Sequence, residues 1–140
     1  MSAKAGEIYF CPLFPFKNGE VGAKFLVLLN TPQKNEPFIF CKTTSQQKYK
    51  QLTEYCQPDY NLFLLLANKD FFTKNTWLQF YELYEFTNSE FLDLHTNNKL
   101  EFKGKLKDLT MRQIINCIKK CKRDIRKSYL TLILKRIGNE

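Results

Sequence analysis

The sequence predicts a mainly β protein, a small barrel, that ends in one long helix. In the first 106 residues, five or six short runs of Ile, Val, Leu, Phe and Tyr are separated by turn residues, and apolar residues then recur at spacings of three and four. Short strands followed by one amphipathic helix pack well as a small barrel with the helix against it. Since no repeat or linker interrupts the pattern, we expect one domain over residues 1–140, with the barrel at about 6–106 and the helix at about 108–136.

The first two strands are predicted to form a hairpin. An Asn-Gly pair at 18–19 makes a tight turn between apolar runs at 7–14 and 23–30. Because Pro12 and Pro15 lack a backbone N–H, the first run is expected to be an edge strand or a bulged strand. The other predicted strands are 37–44, 61–67, 76–83 and 99–106, with a long polar connection at 45–60 that contains at most one helical turn.

Two helical segments are predicted. At 87–94, a Thr-Asn start followed by Glu90 is typical of a short helix or a turn. The long helix begins at Asp108 or Thr110, since either side chain can accept a hydrogen bond from the free N–H groups of the first turn. Its opposite face is rich in Lys and Arg. The apolar stripe consists of Met111, Ile114, Ile115, Ile118, Cys121, Ile125, Tyr129, Leu132 and Ile133.

Positive charge is concentrated in the last part of the chain. Residues 103–140 contain 12 Lys and Arg against 3 Asp and Glu, whereas residues 1–102 contain 10 against 11. The first arginine of the chain is Arg112, and the net charge of the whole chain is +8. A polarised basic region suits a polyanion such as nucleic acid, or an acidic protein partner. The alternative is a solvated helix face that only maintains solubility.

Several function classes have no support in the sequence. It contains no P-loop, no dinucleotide-binding glycine pattern, no Ser-His-Asp arrangement and no HExxH motif. The apolar runs are shorter than the roughly 18 residues of a membrane span. The start of the chain, MSAKAGEIYF, lacks the apolar core of a secretory signal. We therefore expect a cytoplasmic protein, away from membranes, without metal or cofactor, whose five cysteines are reduced thiols.

A few isolated residues could carry chemistry, although each has a simpler interpretation. His95, the single histidine, is predicted to lie in a polar solvent loop rather than to act as a catalytic base. Cys117 and Cys121 are one helical turn apart and could form half of a metal site, or be reduced residues on a helix face. The phenylalanines at 71–72 and Trp77 could stack on bases, or pack in the core or a dimer interface.

Five short motifs occur in one order along the chain. Gly-Glu-Ile at 6–8 opens the first strand, Lys-Phe-Leu-Val-Leu-Leu at 24–29 the second, and Thr-Thr-Ser at 43–45 closes the third. The stretch KNTWLQFYELYEFTNSEFL at 74–92 and Gly-Lys-Leu at 104–106 follow. In order and spacing they resemble the MazF/PemK-like toxins, small SH3-like barrels that end in a helix. The family has Arg-Pro where this chain has Lys24 and Phe25.

The resemblance implies metal-independent cleavage of single-stranded RNA by a homodimer whose groove is blocked by an antitoxin. In the family an Arg and a Thr or Ser act near the scissile phosphate, and the matching positions here are Lys24, Thr43 and Thr44. Attack by a 2′-hydroxyl needs a proton acceptor, the leaving 5′-oxygen needs a donor, and the crowded phosphorane needs fixed positive charge. A lysine supplies a point charge without the planar two-pronged geometry of arginine, so the swap matters at a phosphate.

Three hypotheses about function follow. The first is an endoribonuclease toxin with Lys24, Thr43 and Thr44 as catalytic residues. The second is a non-catalytic module that binds nucleic acid or an acidic partner. The third is a gyrase-poisoning toxin of the same barrel type. It is less favoured, because that type ends in a Trp-containing tail and this chain ends KRIGNE. Without a site, Lys24 is a strand-end cation and the threonines a polar strand terminus. The predicted nucleic-acid-binding residues are Lys17, Lys42, Ser45, Lys119, Lys122, Arg123 and Arg126.

Overall fold

The computed structural model describes residues 3–15, 19–47, 52, 55–121 and 124–135. In this part of the chain the helices are α1 (Asn88–Thr96), α2 (Asp108–Lys120) and α3 (Lys127–Leu134), and a 3₁₀ turn covers Pro58–Tyr60. The strands are β1 (Glu7–Pro15), β2 (Val21–Leu28), β3 (Phe38–Thr44), β4 (Cys56–Gln57), β5 (Leu62–Leu65), β6 (Thr76–Phe86) and β7 (Glu101–Lys105).

The seven strands of the described chain form one antiparallel sheet in the order β4-β5-β6-β3-β2-β1-β7. The prediction of a mainly β fold with a helix near the C-terminus is confirmed. Within the described residues, β4 and β7 lie at the two edges and do not pair with each other, so the sheet is open. A closed barrel is therefore not observed.

The first strand is bulged, as its prolines predict. Its register with β2 shifts between Cys11 and Phe14, the segment that contains Pro12. A proline cannot donate to a neighbouring strand, so the ladder is interrupted at this point. The edge-strand alternative is wrong, because residues 8–10 pair with β7 as well as with β2. The predicted turn at 18–19 falls partly outside the described residues.

The two faces of the sheet are covered by different helices. One face packs against α2 and α3, and the other packs against α1. The core under α2 and α3 includes the buried side chains of Ile8, Val27, Leu78, Phe80, Ile114 and Ile118. The core under α1 includes Tyr9, Leu26, Leu28, Phe38, Phe40 and Phe91. The alternation of these residues along β1, β2 and β3 is what a sheet buried on both faces requires.

The short helix α1 begins with the capping box that its sequence predicts. The Glu90 N–H donates to Thr87 Oγ1 at 3.1 Å, and the Thr87 N–H donates to the Glu90 carboxylate at 2.8 Å. Two backbone donors that the helix leaves free are satisfied in this way. The prediction of a helix or turn at 87–94 is therefore confirmed as a helix.

The prediction of one long helix over 108–136 is wrong in its middle. The first helix, α2, ends at Lys120, and α3 starts only at Lys127. Cys121 caps α2 with φ −90° and ψ 1°, and its N–H lies near the carbonyls of both Cys117 and Ile118. Such a bifurcated bond is common where a helix ends. The apolar spacing continues across the break because Cys121 and residues beyond it are buried in the same core.

The predicted caps of this helix are also wrong. Lys107 is the N-cap residue of α2, and Asp108 lies in the first turn. The side chain of Lys107 makes no capping hydrogen bond. Its backbone N–H, however, donates to Asp70 Oδ2 at 3.0 Å. A carboxylate from the loop between β5 and β6 therefore lies at the positive end of the helix.

The expectation of five reduced cysteines is wrong for two of them. Cys56 of β4 and Cys117 of α2 form a disulfide, with their Cα atoms 5.5 Å apart, although 61 positions separate them in sequence. Cys11, Cys41 and Cys121 are free. The bridge joins the short edge strand to the helix face of the sheet. None of the described helices is long and apolar enough to span a membrane.

Candidate nucleic-acid groove

A groove of about 370 Å³ lies where β2 and β6 begin and β3 ends. Because β3 runs between β6 and β2 and antiparallel to both, its C-terminal end lies beside the N-terminal ends of its two neighbours. Lys24, Thr43, Thr44 and Ser45 all line this groove. All three predicted catalytic residues and one predicted binding residue are thus brought to a single cavity.

The strand register explains why Lys24 and Thr44 lie together. The register of β2 with β3 pairs Leu26 with Lys42 and Leu28 with Phe40. Continued by two residues, it brings Lys24 opposite Thr44. The Thr43 hydroxyl donates to the Phe25 carbonyl at 2.8 Å, so the two strands stay adjacent at this level. Residues that face each other across two strands have Cβ atoms about 5 Å apart, which is close enough to bind one group together.

The two threonines differ in what their hydroxyl groups can do. Thr43 is 3% exposed, and its proton is used in the hydrogen bond to the Phe25 carbonyl. Thr44 Oγ1 instead accepts a hydrogen bond from the Gln46 N–H at 3.2 Å. No described residue takes the proton of the Thr44 hydroxyl, so this group can donate to a bound ligand. The predicted roles of Thr43 and Thr44 are therefore separable, and Thr44 is the better donor.

The polar lining of the groove favours an anion. Its described part consists of eleven residues, which include two cations, Lys24 and Lys74, and no acidic residue. Five hydroxyl side chains, those of Thr43, Thr44, Ser45, Thr73 and Thr76, complete the polar part. Fixed positive charge with hydroxyl donors and no competing carboxylate is the arrangement in which phosphate oxygens are bound.

The apolar part of the lining is aromatic. Phe10, Phe25 and Phe72 all contribute to it. The ring centroids of Phe10 and Phe25 are 5.2 Å apart, and those of Phe25 and Phe72 are 5.5 Å apart. Since Phe72 is buried and the other two are partly buried, the rings hold one another in place. Such rings can contact a base or a ribose of any sequence.

Lys42, a predicted binding residue, is engaged elsewhere. Its ammonium lies 3.1 Å from the Glu82 carboxylate, and both side chains are 13% exposed. The Tyr84 hydroxyl donates to the same carboxylate at 2.9 Å. Burial, and then this hydrogen bond, raise the pKa of Tyr84. The β6 bulge makes the cluster possible, because Cys41 pairs with Leu83 and Lys42 with Gln79, which leaves residues 80–82 outside the register.

The other predicted binding residues lie away from the groove or outside the described part. Lys119 is exposed on α2. Arg126 precedes α3, where its guanidinium lies 4.9 Å from the centre of the Tyr129 ring. Lys17, Lys122 and Arg123 are outside the described residues. Lys119 and Arg126 therefore form part of a basic helical surface, separate from the groove lining.

The isolated candidates have structural roles. His95 is not in a solvent loop but in the last turn of α1, where its ring stacks on Phe91 and Nδ1 is 2.9 Å from the Leu100 carbonyl. Trp77 is 1% exposed and packs with Leu62 and Leu64. Cys117 is used in the disulfide. Among the described residues, no group of three or more His, Cys, Asp and Glu is placed to hold a metal ion.

One part of the groove was missed from the sequence. Thr73 and Lys74 lie in the loop before β6 and Thr76 is its first residue, whereas Phe72, which also lines the groove, was among the candidates for base stacking. A lysine and two threonines immediately before a strand were a possible signal. Nothing in the sequence indicates that this loop lies beside the end of β3, since that follows only from the pairing of Thr44 with Trp77.

The chain matches no known protein-family model, and no curated protein is significantly similar to it.

Proposed function

We propose that this protein acts on single-stranded RNA as a MazF/PemK-like endoribonuclease toxin. The observation that carries the proposal is the convergence of Lys24, Thr43 and Thr44 on one groove whose described lining contains no acidic residue. The order of the five sequence motifs, by which these residues were identified, also supports it. The proposal includes an SH3-like architecture in which the seven-stranded sheet is opened between β4 and β7.

In the proposed reaction, Lys24 and Thr44 bind the scissile phosphate. The ammonium offsets the charge that develops on the phosphorane, and the Thr44 hydroxyl donates to one of its oxygens. Thr43 positions the Phe25 backbone through its 2.8 Å hydrogen bond and so acts through β2. The described lining includes neither a carboxylate nor an imidazole. We therefore assign the 2′-hydroxyl proton to solvent. The 2′-oxygen then bonds to phosphorus as the bond from phosphorus to the 5′-oxygen breaks, which leaves a 2′,3′-cyclic phosphate, and water protonates the departing 5′-oxygen, so the cleavage rate is expected to rise with pH.

A second candidate function is supported by Lys24 itself. Arginine binds two phosphate oxygens at once through its planar guanidinium, and lysine cannot. A module that retained the groove but cleaves nothing would bind single-stranded nucleic acid through the same residues. The basic surface with Lys119 and Arg126 adds backbone attraction in either case.

The proposed partners follow from the toxin interpretation. They are single-stranded RNA, a cognate antitoxin that covers the groove, and a second copy of the chain. Because the RNA is in the cytoplasm, the proposal places the protein there as well. The disulfide of Cys56 and Cys117 bears on the location, because disulfides are more typical of oxidising compartments. Counting free thiols in protein isolated under rapid acid quenching tests this part of the proposal: five indicates a reducing compartment, and three an oxidising one.

The experiment that tests the function is cleavage of single-stranded RNA in EDTA. Lys24→Ala is compared with Lys34→Ala, an exposed lysine in the turn between β2 and β3, at the opposite end of these strands. We expect the wild type and Lys34→Ala to cleave, Lys24→Ala to be inactive, and expression of the wild type to arrest growth.

Two outcomes contradict the proposal in different ways. RNA that is bound with steep salt dependence but stays intact identifies the binding module instead. RNA that is neither bound at low salt nor cleaved excludes both nucleic-acid functions.

A further inference from the structure

We propose that Lys74 is a second phosphate-binding residue of the groove, so that one phosphodiester of a single-stranded nucleic acid is held between Lys24 and Lys74. This inference rests on the proposed function, since it names a further residue of the same site. The resemblance assigns no role to Lys74, and we infer one from its position in the groove, in the loop that leads into β6.

The sheet order places the two lysines on opposite sides of the hydroxyl groups. β3 ends at Thr44 between β2 and β6. Lys24 lies on β2, and Lys74 lies two residues before β6. Neighbouring strands are about 4.8 Å apart, so the flanking strands are about 10 Å apart. Two long side chains that start from these flanks can approach one phosphate from both sides, with the hydroxyl groups of Thr44 and Ser45 between them.

The backbone at Lys74 is fixed by hydrogen bonds. Its carbonyl accepts from the Thr76 hydroxyl at 2.9 Å. The next residue, Asn75, accepts from the Ala67 N–H through its side-chain oxygen at 2.8 Å, which closes the base of the loop. Within the loop, the Asn68 N–H donates to the Phe72 carbonyl at 2.9 Å.

The same loop is also attached to the rest of the fold. Asp70 accepts from the Lys107 N–H, and Lys107 Nζ donates to the Lys69 carbonyl at 3.2 Å. Phe71 packs on Gly104, where an added Cβ would lie 3.0 Å from the phenylalanine ring. A loop anchored at both places can position a charge before the ligand arrives, which is the condition for useful phosphate binding.

The side chain of Lys74, in contrast, is available. Lys74 is exposed, and no described residue forms an ion pair or a side-chain hydrogen bond with its ammonium. None of the described residues that line the groove is a carboxylate that would compete with an anion for this charge. A free phosphate would meet the two lysines alike, but it would leave the rings of Phe10 and Phe25 uncovered. Those rings favour a phosphate that is attached to nucleosides.

The test is binding of a 2′-O-methyl RNA decamer, which cannot be cleaved, measured by fluorescence anisotropy across a salt series. The variants are Lys74→Gln, Lys24→Gln and the control Lys34→Gln, with thermal unfolding as a check of folding. We expect Lys74→Gln to bind about tenfold more weakly, the effect of one charge-assisted hydrogen bond, whatever the sequence of the decamer. The slope of log K against log salt should fall by about 0.7, and Lys34→Gln should match the wild type.

The outcomes separate this inference from the proposed function. If Lys74→Gln binds as the wild type does, with an unchanged salt slope, the inference is wrong even where unmodified RNA is cleaved. If unmodified RNA stays intact but Lys74→Gln still weakens binding, the inference holds and the nuclease proposal fails. Inorganic phosphate is the second probe. If it displaces the decamer at concentrations near the decamer's own Kd, the groove binds free phosphate, and the assignment to a nucleic acid is wrong.

Discussion

The most informative substitutions in the groove are Thr43→Val and Thr44→Val. Valine has nearly the shape of threonine and removes only the hydroxyl group, so each variant isolates one hydrogen bond. The two positions are adjacent in sequence and are 3% and 7% exposed. The structure nevertheless predicts opposite consequences, because Thr43 donates its proton to the Phe25 carbonyl and the proton of Thr44 is available to a ligand.

The magnitudes follow from these partners. Thr43→Val leaves the Phe25 carbonyl without a buried donor, which lowers the free energy of unfolding by about 1 to 3 kcal/mol. Thr44→Val removes only an acceptor for the exposed Gln46 N–H, so its effect on stability is about 1 kcal/mol or less. In catalysis the order reverses. Loss of one donor to a developing charge costs roughly 100-fold to 1,000-fold in kcat, and only Thr44→Val loses such a donor.

Urea unfolding and RNA cleavage in EDTA measure the two effects on the same preparations. We expect Thr43→Val to be less stable and to retain most of its kcat at temperatures where it is folded. Thr44→Val should be folded and nearly inactive. If Thr43→Val is the stable, inactive variant and Thr44→Val the active one, the assignment of the hydroxyl groups is wrong. If both variants cleave at the wild-type rate, neither threonine acts at the phosphate.

Three further predictions concern the fold. Reduction of the Cys56–Cys117 bridge, which spans 61 positions, should lower the free energy of unfolding by about 4 kcal/mol in urea titrations with and without a phosphine reductant; an unchanged midpoint contradicts a bridge in the native state. Gly6→Ala should lower the free energy of unfolding by about 1 to 2 kcal/mol because of the φ of +95° at this residue. The loss should be larger still, since the new Cβ would lie 2.8 Å from Met111 Cγ. A melting temperature equal to that of the wild type contradicts this packing. Burial raises the pKa of the Cys121 thiol from 9.0 to about 11. The stability that the buried neutral thiol contributes is therefore present below pH 9 and is lost between pH 9 and 11. Iodoacetamide at pH 8 should label Cys121 about 100-fold more slowly in the native protein than in urea.

Local patterns predicted the parts of the fold that depend on local physics. The capping box at Thr87 and Glu90 identifies the start of α1 because both hydrogen bonds are made within one turn. The prolines of β1 predicted a bulge, since a missing N–H disrupts any ladder. The glycines at 6 and 104, which the resemblance used as markers, have physical reasons: Met111 packs on the first and Phe71 on the second.

The errors concern what depends on distant residues. Apolar spacing from Met111 to Ile133 predicts one helix, because a broken helix that packs on the same face of a sheet keeps the same spacing. Cys56 and Cys117 carry no local signal that they meet. The ion pair of Lys42 with Glu82 depends on the three-residue bulge in β6, which no sequence rule indicated.

The candidate site divides in the same way. Lys24, Thr43 and Thr44 were identified through the resemblance alone. The structure brings them together because β2 and β3 are adjacent strands. Lys74 was missed because its proximity to Thr44 depends on the pairing of β6 with β3, across an intervening β4 and β5.

The most direct test of the central claim is to locate bound RNA on the protein. Titration of ¹⁵N-labelled protein with a 2′-O-methyl RNA decamer should shift the backbone amide resonances of Thr44, Ser45, Thr73 and Lys74 first, at the lowest RNA concentrations. Shifts at Lys119 and Arg126 should follow and should disappear as salt is raised. If the shifts are confined to α2 and α3 at every salt concentration, the groove is not the RNA site.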